Sequence, residues 1–284
     1  MKISIVIPVY QEATIIGSIV KSIADILPDA EIIVVDDGSK DNTAEVARSA
    51  GAVVYCHPYN IGNGAAVKTG IRMAKGDIIV MLDGDGQHDP QDIPRLLAEA
   101  KTHDMVVGAR DSRTHANIFR KFANIFYNFL ASAITKISVK DLTSGFRVVH
   151  RITALRYLYL LPNTFSYPTT ITLSYLHSGR SICYVPIKAA KRTGSSKIKP
   201  LRDGFHFLLI MIKITTLYSP MLVFLPISIL FMLTGLFYYC YTYIIFNRFT
   251  NMSALFMTTS IMIFMLGLIS EQITQLRYDR VDRQ

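Results

Sequence analysis

The sequence predicts an α/β domain, a mostly parallel sheet with helices on both faces, followed by an amphipathic helix and two transmembrane helices. Three observations predict it. Short β-branched apolar runs alternate with helical stripes over the first 108 residues, the rhythm of a parallel sheet. Acidic and polar clusters follow three of those runs, where such sheets bind ligands. Two long uncharged stretches lie near the carboxyl terminus.

The elements follow in order. Ile3 to Pro8 is a buried strand closed by proline. Thr14 to Leu27 carries Ile15, Ile16, Ile19, Val20, Ile23 and Ile26 in a helical stripe. Glu31 to Val35 is the second strand, Asn42 to Ser49 a helix, Ala52 to Cys56 the third strand and Gly64 to Ala74 a helix. Asp77 to Leu82 is the fourth strand. Asp89 and Pro90 supply an N-cap and a first-turn proline for a helix to Lys101. Met105 to Gly108 is the fifth strand.

No charge occurs from Ile214 to Asn247 or from Phe249 to Ser270. At 1.5 Å per residue, Leu222 to Phe246 reaches about 37 Å, beyond a ~30 Å hydrocarbon core. Only Asn247 and Arg248 separate the stretches. The expected domains are therefore 1–199, 200–218 as a juxtamembrane helix with Phe205, Leu208, Leu209 and Ile212 on one face, and 219–284 as a transmembrane hairpin.

The net charge of +9 is unevenly spread. Residues 1–187 hold 19 basic and 17 acidic side chains, and residues 188–284 hold 11 and 4. The excess thus sits beside the most apolar third, which speaks for a membrane surface and against nucleic acid. Basic residues flank both outer ends of the hairpin, so the positive-inside rule predicts both termini, and with them the α/β domain, in the cytoplasm. Three cysteines without paired spacing exclude a disulfide framework.

Chemistry gathers in the clusters. Asp83 and Asp85 stand two apart between glycines just past a strand, a pattern that can converge on Mg²⁺ or a similar hard cation. Asp36-Asp37 closes the second strand and serves either a ligand or a helix cap. The run 60–66, NIGNGAA, opens a helix like a phosphate cradle, without the lysine of a Walker loop.

PVYQE (8–12), DDGS (36–39), NxGxG (60–64) and DGDGQ (83–87) together resemble the nucleotide-sugar half of the inverting glycosyltransferases with the Rossmann-like GT-A fold. Gln11 stands where that family usually has asparagine. DLTSGFR (141–147) and RTGSSK (192–197), followed by paired spans, resemble the dolichol-phosphate mannose synthase and polyprenyl-phosphate glycosyltransferase branch. The resemblance implies that Pro8, Tyr10, Glu12, Asp36, Asp37, Asn60, Gly64, Asp83, Asp85 and Gln87 bind the nucleotide sugar. By the same resemblance Asp83, Asp85 and Gln87 hold Mg²⁺ or Mn²⁺. Arg110, Arg147, Arg192, Ser196 and Lys197 would line the acceptor phosphate path. Asp85, Arg192, Lys197 and Asp141 are expected to carry the transfer, Asp141 by orienting Arg147 or another cation, unless it only caps a turn. Relatives with paired spans imply a homo-oligomer, a tetramer among the options.

The expected partners are a nucleotide-sugar donor, a polyprenyl phosphate acceptor and the lipid bilayer. A phosphomonoester is already anionic at neutral pH, so a dedicated base is dispensable, and 164–181 contains no Asp or Glu. A lipid hydroxyl acceptor, which needs a base, and an inactive membrane scaffold are the alternatives. The stretch 117–134, with Phe119, Phe122, Phe126, Tyr127 and Phe129, reads as a helix on the sheet or as a prenyl groove. Arg120 and Lys121 within it are further phosphate candidates.

Overall fold

A computed structural model of the chain describes residues 1–110, 132, 139–164, 166–188, 212, 215–216 and 219–282. It divides into two compact units, Met1–Lys197 and Ile198–Gln284. The expected juxtamembrane helix at 200–218 falls almost wholly outside the described residues.

In the first unit β1 (Ile3–Val9), α1 (Ile16–Ile26), β2 (Glu31–Asp36), α2 (Thr43–Ser49), β3 (Val53–Cys56), α3 (Asn63–Met73), β4 (Ile78–Met81), α4 (Ile93–Glu99) and β5 (Met105–Arg110) follow the alternation read from the sequence. Asp89 caps a short 3₁₀ turn before α4 through its carboxylate and the Gln91 amide, 3.0 Å apart. Among the described residues, β6 (Arg147–His150), α5 (Arg151–Tyr157), a 3₁₀ turn (Leu158–Leu160), α6 (Tyr167–His177) and β7 (Ile182–Ile187) follow.

The seven strands among the described residues form one sheet in the order β3-β2-β1-β4-β6-β5-β7. All described pairings are parallel except those of β6, which runs antiparallel to both β4 and β5. Ile5, Val6 and Ile7 of β1 and Ile79, Val80 and Met81 of β4 are fully buried. Apolar residues on both faces are what a sheet covered by helices requires. Helix α1 seats Ile16, Ile19, Val20 and Ile23 on it, one face of a 3.6-residue period.

The reversal of β6 positions the site. The parallel strands β1, β2, β4 and β5 end at one edge, and an antiparallel strand begins there. Residues 141–146, which lead into β6, therefore arrive at the same edge as the loops after β1, β2 and β4.

The second unit holds α7 (Met221–Phe246) and α8 (Asn251–Asp282). Both are long and apolar enough to cross a bilayer, and only 11% and 17% of their most apolar windows are buried, unlike core helices of a soluble protein. Asn247, at φ 50°, closes α7 in the left-handed region with its amide on the Tyr243 carbonyl, a helix stop that favours Asn or Gly. Buried small residues recur every seven positions: Ser228, Gly235 and Thr242 on α7, and Ser253, Ser260, Gly267 and Thr274 on α8. A seven-residue repeat is a coiled-coil seam, and small side chains let helix backbones approach. Ser260 Oγ donates across it to the Ser228 carbonyl at 2.7 Å.

Candidate active site

The loop after β4 carries Asp83, Asp85 and Gln87 on one five-residue bend. Gly86 turns it at φ 74°, and Asp85 Oδ1 accepts the Gln87 amide at 3.1 Å. All three side chains offer oxygen, the donor set of a hard divalent cation. Asp83 lies against the backbone of Gly145, where a β-carbon would come 2.2 Å from Oδ2. A residue with a side chain at 145 would displace that carboxylate.

Arg110, the last residue of β5, stands beside this acidic bend, and the charges of Asp83 and Asp85 help hold its guanidinium protonated. Asp141 holds it in place. Arg110 Nε donates to Asp141 Oδ2 at 2.9 Å, and Nη2 donates to Asp141 Oδ1 at 3.1 Å and to Thr143 Oγ1 at 2.6 Å. Asp141 Oδ1 also accepts the amides of Thr143 and Ser144, both at 3.1 Å. Burial works to raise the Asp141 pKa, but the hydrogen bonds and charge of Arg110 overcome it and hold the carboxyl below its ordinary range. Asp141 thus both orients a cation and caps a turn, and the cation is Arg110, not Arg147.

Arg147 is a correction to the sequence reading. It has no exposed surface, and its guanidinium donates to the Ser144 carbonyl (2.7 Å), Thr172 Oγ1 (2.6 Å) and the Leu142 carbonyl (3.1 Å). A guanidinium with its donors engaged by internal acceptors is a structural post under the sheet and not a surface for phosphate. From the expected 165–170 segment, Ser166 is the N-cap residue of α6 and Tyr167–Thr170 form its first turn. Tyr167 is buried there, and its phenol is pushed up by burial, with the Asp83 charge adding and Arg147 opposing.

Three other expected contacts change character. Asp37 is 3% exposed; it accepts the amides of Ile61 (3.0 Å) and Gly62 (2.8 Å) and pairs with His57 Nδ1 (2.7 Å). It frames the 60–62 loop from inside. Asp36 accepts from both the amide and the hydroxyl of Ser39. Gly64 does not open a phosphate cradle. A β-carbon there would lie 2.2 Å from the Pro162 carbonyl, and one at Gly62 would lie 2.3 Å from that of Asn163. The Asn163 carbonyl also accepts the Ala65 amide at 3.2 Å. The amino end of α3 is therefore occupied by the chain's own backbone, and Lys68 ties that segment down through the Leu161 carbonyl (3.1 Å) and Asn163 Oδ1. Asn60 remains exposed.

Pro8 is buried in register with Val35, while Tyr10 beyond it is 38% exposed at the edge. Gln11 adopts φ 59° with its amide on Ser39 Oγ, a conformation that asparagine enters more readily than glutamine. Glu12 starts the turn into α1, its carbonyl accepting the amides of Ile15 and Ile16.

With the fold and the geometry of this edge described, comparison with known proteins gives the family. Residues 4–156 fit the family model described as Glycosyl transferase family 2. The chain belongs to that family. Residues 219–276 fit a second model, the GtrB C-terminal hairpin. An undecaprenyl-phosphate 4-deoxy-4-formamido-L-arabinose transferase of Proteus mirabilis is 32% identical over 198 residues, 63% of this chain and 60% of the relative. The protein of the same name from Pseudomonas fluorescens is 30% identical over 70% of this chain and 61% of its own length. The chain thus spans about three-fifths of the curated relatives it matches. Glucosyl-3-phosphoglycerate synthase of Mycobacterium tuberculosis, solved with Mn²⁺ and UDP-glucose, superposes with a TM-score of 0.60. At 21% identity, that match covers 75% of this chain and 78% of the other. This likeness establishes the GT-A fold of the family 2 domain.

The loops and strand ends at this edge carry Tyr10, Glu12, Asp36, Asp83, Asp85, Gln87, Arg110 and Asp141. Arg120, Arg192, Ser196 and Lys197 lie outside the described residues, as does Lys121. Sequence reasoning passed over His57, the partner of Asp37, and His88, which is 4% exposed. Burial pushes the His88 imidazole down to about 4, against the opposing charge of Asp85. Neither histidine has metal-motif spacing, so no pattern flagged it.

Proposed function

We propose that this family 2 protein is a membrane glycosyltransferase that moves a sugar from a UDP- or GDP-linked donor to a polyprenyl phosphate, undecaprenyl or dolichyl. The observation that carries this reading is the pairing of the Asp83–Asp85–Gln87 bend with Arg110 in a chain that also carries two bilayer-length helices. The printed names of the curated relatives, undecaprenyl-phosphate sugar transferases, support the acceptor class.

The residues divide the work as follows. Asp83, Asp85 and Gln87 hold Mg²⁺ or Mn²⁺, which when bound neutralises charge on the leaving diphosphate. Arg110, kept rigid by Asp141, adds positive charge to the same region. Arg120, Arg192, Ser196 and Lys197 bind the acceptor phosphate and bring it up to the donor. An acceptor phosphate oxygen attacks the anomeric carbon in line as the bond to the nucleoside diphosphate breaks, and the configuration inverts. The attacking oxygen is already anionic, which agrees with the absence of Asp and Glu from 164–181. The paired helices anchor the chain with both termini and the catalytic domain in the cytoplasm, and copies associate as a homo-oligomer.

The test incubates membranes containing the protein with labelled nucleotide sugars and polyprenyl phosphate, then extracts lipid. A labelled lipid released by mild acid is expected, and Asp85→Asn abolishes it. No labelled lipid with any donor sinks the reading. Undiminished activity in Asp85→Asn removes the metal assignment.

A further inference from the structure

His88 has no task in the scheme above, yet its placement is costly. It is 4% exposed, and its Nδ1 has no hydrogen-bond partner among the described residues. An unpaired buried polar atom is destabilising, because folding strips its water and gives nothing in return. The ring is held tightly nonetheless: it leans on the fully buried Phe146, centroids 5.3 Å apart and planes at 39°. From that seat Nδ1 faces Asp83 Oδ2 at 4.0 Å.

The same short segment fixes both groups. Gly145 lies against the Asp83 carboxylate, and its neighbour Phe146 supports the His88 ring. Two consecutive residues therefore set a carboxylate and an imidazole nitrogen face to face. The separation exceeds a hydrogen bond by about 1 Å, a distance that a small rotation of the Asp83 side chain closes. Carboxylates that ligate metals are themselves commonly held by outer hydrogen bonds.

We propose that His88 is a positioning residue that donates from Nδ1 to Asp83 Oδ2 and sets the orientation of that carboxylate for the donor site. The assignment rests on the reading of Asp83 as part of the metal and nucleotide-sugar site. It requires the tautomer with hydrogen on Nδ1. It also explains why an imidazole is buried beside the bend where an apolar ring would pack as well.

The test uses the full chain in detergent and two readouts. Nitrogen NMR of ¹⁵N-histidine protein, with the His88 signal assigned by its loss in His88→Asn, is expected to show a protonated Nδ1 whose shift moves in Asp83→Asn. Mn²⁺ affinity, measured by electron paramagnetic resonance with UDP or GDP present, is expected to fall about tenfold or more in His88→Phe. His88→Asn, whose amide reaches the Nδ1 position, should recover most of that loss. His88→Gln, which offers its amide at the Nε2 position, serves as a second variant without the donor if His88→Phe does not fold. Unchanged Mn²⁺ affinity in the donorless variant, or no recovery in His88→Asn, overturns the proposal. So does an Nδ1 shift indifferent to Asp83→Asn, which would mean that water serves the nitrogen. If the wild type takes up no Mn²⁺ with either nucleotide, the donor-site reading fails; the Asp83→Asn shift still decides the hydrogen bond, so the two failures are told apart.

Discussion

The carboxylate of Asp83 rests on the α-carbon of Gly145, so closely that a β-carbon would fall 2.2 Å from Oδ2 and 2.6 Å from Cγ. Sixty-two positions separate the two residues in the chain, and β6 brings them together by pairing with β4. The 141–147 motif, expected to face the acceptor, forms in the described structure the back wall of the bend that carries Asp83.

Gly145→Ala should therefore spare the fold and damage the site. The obstructed atoms belong to the end of a side chain, which can swing away, so the melting temperature should shift by only a few degrees. Metal and nucleotide affinity should fall about 10- to 100-fold. Calorimetric titration alongside thermal unfolding checks this. A large loss of stability with unchanged affinity would contradict it.

Removing the charge of Asp141 should act on stability first. Asp141→Asn leaves a largely buried guanidinium without its partner, and breaking such pairs costs about 3–5 kcal/mol when both groups are fully buried. The Arg110 side chain retains 22% exposure, so a cost at or below about 3 kcal/mol is expected. Arg110→Met combined with Asp141→Asn should recover part of it. Thermal unfolding of the single and double variants measures the coupling.

The same pair predicts an acid response with a definite sign. Arg110 holds the folded-state pKa of Asp141 below its ordinary value, which is about 3.9 in an unfolded chain. The stabilisation is complete above that unfolded value and disappears as the pH falls through the depressed folded one. Melting temperatures of wild type and Asp141→Asn should differ most above pH ~4 and converge as the pH falls through the depressed folded-state value. Parallel curves across that range would show that the pair does not carry the effect.

Gly64→Ala and Gly179→Ala make a matched contrast. The first introduces a β-carbon 2.2 Å from the Pro162 carbonyl, a backbone atom, while the second meets nothing within 4 Å and carries only the strain of φ +68°. Gly179→Ala should cost about 1–2 kcal/mol. Gly64→Ala should exceed it and expose the 161–164 segment to proteases. Limited proteolysis with melting curves tests both, and equal losses would refute the packing account.

The first five strands were legible because each is an apolar, β-branched run with a polar boundary, and α1 because its isoleucines keep one face. Strand β6, Arg147–His150, is four residues long and begins and ends with polar side chains, so no local period distinguishes it; its slot between β4 and β5 is fixed by partners distant in sequence. Asp83, Asp85 and Gln87 could be chosen by spacing, since one bend holds all three. Arg147 could not be judged that way: a sequence shows a charge but not whether carbonyls wait for it in the core. Gly62 and Gly64 misled for a related reason. Glycine serves the approach of a phosphate and the approach of another backbone equally well, and here the second applies.

The wedge of β6 between β4 and β5 also orders events during synthesis. When the ribosome has made residue 110, β5 exists but its neighbour does not, and the outer edge of β4 stays unpaired. At about 5–20 residues per second, β6 emerges roughly 2 to 7 s later. Through that interval two hydrophobic strands present open edges, the kind that recruit foreign strands. The bend at 83–87, whose back wall arrives with β6, takes its final form only after that gap is filled.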